Sequence, residues 1–222
     1  MDLRNLENKE IGIHFIIAGS GGSVKQYRDA ILAHRESTHA KVIGINYMSL
    51  LCCPDYHLWT NQQRYRDLGR CVDPWSTMLF GCNMPDKIIK KHYAGDYFVI
   101  DYESDKKNDF SYRRGVVYGH FRTAGTLAIM IAHIMGASNI DIVGMDGYTL
   151  YGKKEIKAGD KSHHCYGQGY TDDANWEKCK KKDQKVYKTL RAFADVGVEF
   201  RIITPTKFKD FYDGSVLGID SD

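Results

Sequence analysis

The chain has 222 residues, 43% of them hydrophobic, 27% charged and 12% aromatic, a globular composition that excludes disorder, collagen and coiled coil. Lysine and arginine exceed the acids by 31 − 28 = 3, too little to mark the whole chain as a nucleic-acid or membrane binder. At about 100–200 residues per domain, the length predicts one domain over 1–222.

The first expected strand is the apolar run Gly12–Ala18, which stops at Gly19-Ser20-Gly21-Gly22. A helical pattern follows through Tyr27, Ile31 and Leu32. Apolar runs at 42–45, ending at Asn46, and 56–60, ending at Asn61, predict two more strands. Others are expected at 77–80, 97–100, 140–143 and 198–203, with helices over 86–92, 123–137 and 173–195 and a short one at 207–212. In the 173–195 helix, Trp176, Cys179, Val186, Leu190 and Phe193 form one stripe, and Gly197 follows its end. Strands alternating with helices predict an α/β fold, a Rossmann-like doubly wound and mainly parallel sheet. The segment 147–172 lacks periodicity and reads as a long functional, mobile loop.

Six cysteines (Cys52, Cys53, Cys71, Cys82, Cys165, Cys179) form no C-x-x-C, so free thiols are expected. The charged first ten residues are unlike a signal peptide. The apolar stretch 124–137 is broken by Gly125, Thr126, His133 and Gly136, and it is shorter than the roughly 20 residues of a bilayer span. A cytoplasmic protein without a transmembrane segment is the expectation. Ten lysines against six acids in 152–188 leave a local charge of +4, a solvated helix face or a contact for an anionic partner.

In a parallel α/β sheet, ligands bind beyond the carboxyl ends of the strands. Here those ends are Gly19-Ser20-Gly21-Gly22-Ser23, Asn46-Tyr47, Trp59-Thr60-Asn61 and Gly144-Met145-Asp146-Gly147-Tyr148. The first glycine turn would let backbone N–H groups approach a phosphate, or would serve only as a tight turn. It is no Walker A loop, because Val24 stands five places after Gly19, and it lacks the third glycine of G-x-G-x-x-G. Asn46 stands where a dinucleotide site places an acid for the ribose, which argues against an NAD-dependent dehydrogenase. Asn46 and Asn61 both donate and accept, which suits a base, ribose or sugar. Thr123-Ala124-Gly125, beside Arg122, opens the most apolar helix and offers a second anion pocket or simply close packing.

No metal-ligand set is expected; Asp101 and Glu103 are the nearest approach to a carboxylate pair. For acid–base chemistry His163 and His164 stand out, with Tyr166 and Gln168 after them in the loop. Tyr148 and Tyr151 lie near a strand end, where phenols can hydrogen-bond a departing phosphate or serve as packing.

Phe15–Ser23, Gly44–Tyr47, Trp59–Asn61, Thr123–Gly125, Ile142–Tyr148 and His164–Gln168 occur in the order found in glycosyltransferase family 42. The chain resembles these bacterial sialyltransferases and the related pterin diphosphokinase-like domain family. The resemblance implies a GT-A type domain with no tightly bound cofactor, using a nucleotide sugar as donor substrate and transferring the sugar with inversion and without a metal. The acceptor would be a hydroxyl on a glycan or, given the lysine-rich stretch, on modified DNA. Carried over by position, Gly19, Ser20, Gly21, Gly22 and Ser23 hold the nucleotide, Asn46 and Asn61 the ribose or sugar, and Thr123, Ala124 and Gly125 the sugar and base side. Tyr148 and Tyr151 stabilise the leaving phosphate. Departures exist: the family's Asn, Pro and Ser are Ser20, Gly22 and Ala124 here, and its general-base histidine falls on Gln168. The base role therefore passes to His164, with His163 in reserve and Asp146 as the other candidate. The alternatives are a diphosphokinase-like enzyme using ATP and a divalent metal held by Asp101, Glu103 or Asp146, and a non-catalytic nucleotide-binding domain.

Overall fold

The computed structural model describes residues 1–48, 51–103, 110–151 and 175–219. Nine strands form one sheet: β1 His14–Ala18, β2 Lys41–Ile45, β3 Tyr56–Trp59, β4 Thr77–Gly81, β5 Tyr97–Glu103, β6 Ser111–Arg113, β7 Val116–Tyr118, β8 Asn139–Val143 and β9 Arg201–Ile202. Their order is β6-β7-β5-β4-β3-β2-β1-β8-β9, and every neighbouring pair is parallel except β6 with β7. The expected Rossmann-like α/β architecture is present.

Alternation along the strands divides the core between two faces. Phe15, Ile17, Ile43, Ile45, Leu58 and Leu79 point into the layer beneath α5 (Ala124–Ile134) and α6 (Trp176–Asp195). Ile16, Ala18 and Val42 meet α1 (Ser23–Gln26) and α2 (Arg28–Thr38) on the other face. Trp59, Met78 and Phe80 extend that second face beneath α3 (Gln62–Leu68) and α4 (Asp86–Ile89). The sheet is therefore doubly wound.

Helix α5 is apolar on all sides because it is the central buried helix; Leu127, Ile129, Met130 and Ile131 are at most 4% exposed. Each such side chain contributes about 1.5–3 kcal/mol by leaving water. Thr123 caps the helix through a reciprocal box with Thr126, which fixes where its N-terminus points.

Several boundaries differ from those expected. The β6–β7 hairpin and α3 fall outside the expected elements, being short and partly polar. The ladder of β9 is confined to Arg201–Ile202 within the expected 198–203, and the expected 207–212 helix is a single 3-10 turn at Lys209–Phe211. Strand β5 runs on to Glu103, so Asp101 and Glu103 are strand residues paired with Val116 and Tyr118. No helix among the described residues is long and apolar enough to cross a membrane.

Candidate functional site

Strand β1 has β2 on one side and β8 on the other, and the chain reverses its direction of sheet growth between them. That is the switch point where open parallel sheets leave a crevice beyond their carboxyl ends. A pocket of about 280 Å³ lies there. It is lined by Gly19, Ser20 and Gly21 after β1, Asn46 after β2, Thr60 and Asn61 after β3, Thr123–Gly125 at the start of α5, and Gly144–Tyr148 after β8. Sequence positions spread over 130 residues thus meet in one cavity.

The first loop is tied to the β8 loop by a buried carboxylate. Asp146, 3% exposed, accepts the Ser23 N–H at 2.9 Å, the Ser23 hydroxyl, the Tyr151 hydroxyl at 2.7 Å and the Gly22 N–H. Burial pushes its pKa up while these donors pull it down, with burial the stronger effect. A Cβ on Gly21 would strike this carboxyl, and one on Gly19 would lie 2.6 Å from the Gly144 carbonyl oxygen. Gly19 and Gly21 are therefore required by the approach of the β8 loop, independently of any ligand. That packing role fits the tight-turn reading of the first loop and leaves its phosphate reading open.

Several of the expected ligand residues hold the scaffold as well. Ser23 lies behind the pocket wall, its hydroxyl shared between Asp146 and Thr204, and Gly22 precedes α1 without lining the cavity. Asn61 caps α3, its Oδ1 accepting the Arg64 N–H at 2.9 Å, and the Thr123 hydroxyl accepts the Thr126 N–H at 3.2 Å. Tyr151 donates to Asp146, which commits its phenol to the loop. The expected base alternative, Asp146, is likewise committed on both oxygens.

Asn46 differs from these. It sits in the left-handed region at φ +55, its N–H donating to the Leu58 carbonyl at 3.0 Å and its own carbonyl accepting from the buried His57 ring. Its Oδ1 is buried and finds no partner among the described residues. It is an unmet acceptor in a residue that lines the pocket.

Residues 147–151, expected to begin a mobile loop, are pinned by α6. The Asp183 carboxylate accepts the Tyr148 N–H at 2.7 Å, the Thr149 N–H at 3.0 Å and the Thr149 hydroxyl at 2.7 Å. Lys182 Nζ stands 4.9 Å from the centre of the Tyr148 ring. Tyr148 lines the pocket on this support. The rest of the expected loop, with His163, His164 and Gln168, lies outside the described residues.

Two arginines enter the lining, Arg64 from α3 and Arg122 before α5. Arg64 is only 8% exposed, and Arg122 Nη1 donates to the His120 ring at 3.3 Å. With both Asp146 oxygens already accepting hydrogen bonds, these guanidiniums and the α5 N-terminus are the groups left to meet an anion in the pocket. Asp101 and Glu103, the expected carboxylate pair, do not line it.

Neither a protein-family model nor a curated protein matches the chain.

Proposed function

We propose that the chain is a nucleotide-sugar-dependent glycosyltransferase of GT-A type, inverting and metal-independent, acting on a hydroxyl of a glycan. The observation that carries this reading is the convergence, in one switch-point pocket, of two glycine-bearing loops, the free Asn46 amide oxygen, an eleven-residue helix N-terminus and two arginines. Backbone N–H groups and guanidiniums suit a phosphate, and an amide suits a ribose or base edge.

In this reading the phosphates face Arg122 and the α5 N-terminus, while Asn46 orients the nucleoside. The acceptor oxygen attacks the anomeric carbon from the side opposite the phosphate, and the bond from that carbon to the phosphate oxygen breaks. Arg64, Arg122 and the Tyr148 phenol stabilise the departing charge. The proton leaving the acceptor passes to His164, or to His163, with Gln168 as an orienting group. Asp146 holds the loops and takes no proton. The donor set supports metal independence: among the described lining residues the only carboxylate is Asp146, whose oxygens already accept hydrogen bonds. A diphosphokinase would need carboxylates for a divalent ion beside its triphosphate.

A thermal-shift screen against CMP, UDP, GDP and ADP sugars tests the reading. A true donor at 100 times its dissociation constant stabilises by about 2.7 kcal/mol. Stabilisation by one class, followed by transfer of its sugar, supports the proposal, and no shift from any of them contradicts it.

A further inference from the structure

A second cluster lies on the α2 face of the sheet, and none of its members lines the pocket. His14 opens β1, Asp141 sits in β8 opposite Ile16, and Arg201 sits in β9 opposite Asp141. Ile16 packs in the layer beneath α2, so the strand parity places His14, Asp141 and Arg201 on the face from which His34 descends. His14 Nε2 is 2.8 Å and His34 Nε2 2.6 Å from the same oxygen, Asp141 Oδ2. The three potential ligand atoms all lie within 4.8 Å of one another.

We propose that His14, His34 and Asp141 form a binding site for a divalent transition-metal ion of the zinc class. Three features carry it. Both imidazoles aim the same ring nitrogen, Nε2, at one point beside the carboxylate oxygen. The other carboxylate oxygen, Asp141 Oδ1, accepts from Arg201 Nε at 2.7 Å, which fixes the carboxylate and leaves Oδ2 as the inward ligand. Arg201 is also shared with Asp213 at 3.1 Å, so two carboxylates and one guanidinium carry a net charge of −1 at the cluster. That charge favours a cation.

Two nitrogens and one oxygen suit zinc or cobalt rather than magnesium or calcium, which prefer all-oxygen shells. Zinc bonds of about 2.0–2.2 Å in a tetrahedron separate ligand atoms by about 3.3–3.6 Å, so the carboxylate oxygen and the ring nitrogens need move apart by about 0.5–1 Å. The His14 and His34 side chains are 13% and 11% exposed, which lets an ion enter and a water take the fourth position. An ion there would join β1, β8 and α2.

The full chain, stripped of metal, is titrated with zinc by calorimetry and with cobalt by absorption spectroscopy. The expected result is one zinc per chain in the micromolar range or tighter, weakened by at least about tenfold in both His14→Gln and His34→Gln, since even outer partners of bound metals act on that scale. Melting of each metal-free variant verifies that it is folded. The cobalt spectrum of the unaltered chain, which needs no variant, should lack sulfur-to-metal charge transfer. Absence of micromolar binding, unchanged affinity in both folded variants, or a thiolate band that assigns the ion to the cysteines would overturn the proposal.

Discussion

The Asp146 carboxylate accepts the Ser23 backbone N–H at 2.9 Å across 123 residues of sequence. This bond joins the loops on the two sides of the switch-point crevice, so the pocket keeps its shape only while the carboxylate keeps its donors.

Replacing Asp146 by Asn puts an NH₂ against groups that are themselves donors. The expected loss of stability is about 1.5–3 kcal/mol, the scale of hydrogen bonds to a charged group. It is read by urea unfolding, with nucleotide affinity falling alongside. Unaltered stability and affinity with a collapse of turnover alone would make Asp146 a reacting group instead.

Gly21→Ala is expected to destabilise the chain by about 1–3 kcal/mol, because the new methyl meets the Asp146 carboxyl in a filled space. Combined with Asp146→Ser the penalty should shrink, with a coupling of about 0.5–3 kcal/mol in a double-mutant cycle. Strict additivity would mean that the two loops are not in contact.

Much of this site was legible in the sequence, because apolar runs fix where strands end and strand ends are where such sheets bind. Asn46 and Gly144–Tyr148 are read in that way, and Thr123–Gly125 as the opening of the most apolar helix. The scaffold role of Asp146 was not, since it depends on pairing with a residue 123 positions away. Arg64 was missed with its helix: α3 is seven residues long and polar, and its start signal, Asn61, also reads as a strand-ending turn. Asp183 carried a usable sign. With Cys179, Val186 and Leu190 it continues the spacing of the buried stripe, and an acid in an apolar stripe marks a buried partner. The β6–β7 hairpin was too short for alternation to show.

The two arginines should act on anion binding. Arg122→Ala and Arg64→Met are each expected to weaken nucleotide binding by about 10–100-fold, from about 1.5–3 kcal/mol for a charge-assisted hydrogen bond. Calorimetry at two ionic strengths would measure it. Equal affinity in both variants would place the anion elsewhere.

His57 makes stability depend on pH. Burial lowers its pKa from 6.5 to about 4, so between these values the unfolded chain binds a proton that the folded chain does not. Its contribution is complete above pH 6.5 and falls as the pH drops through that window, by about 3 kcal/mol at 1.36 kcal/mol per unit. His57→Gln keeps a donor for the Asn46 carbonyl without titrating. Urea unfolding from pH 7.5 to 4 should show a flatter profile for this variant, and parallel profiles would assign the dependence to other groups.

The most direct test of the central claim is the initial rate of sugar transfer from the best-binding nucleotide sugar to a glycan hydroxyl, measured with excess chelator and with added magnesium. Equal rates in the two conditions and a strong loss in Arg122→Ala are expected. Turnover that requires magnesium, uses ATP and releases AMP would contradict the claim and make the pocket that of a diphosphokinase.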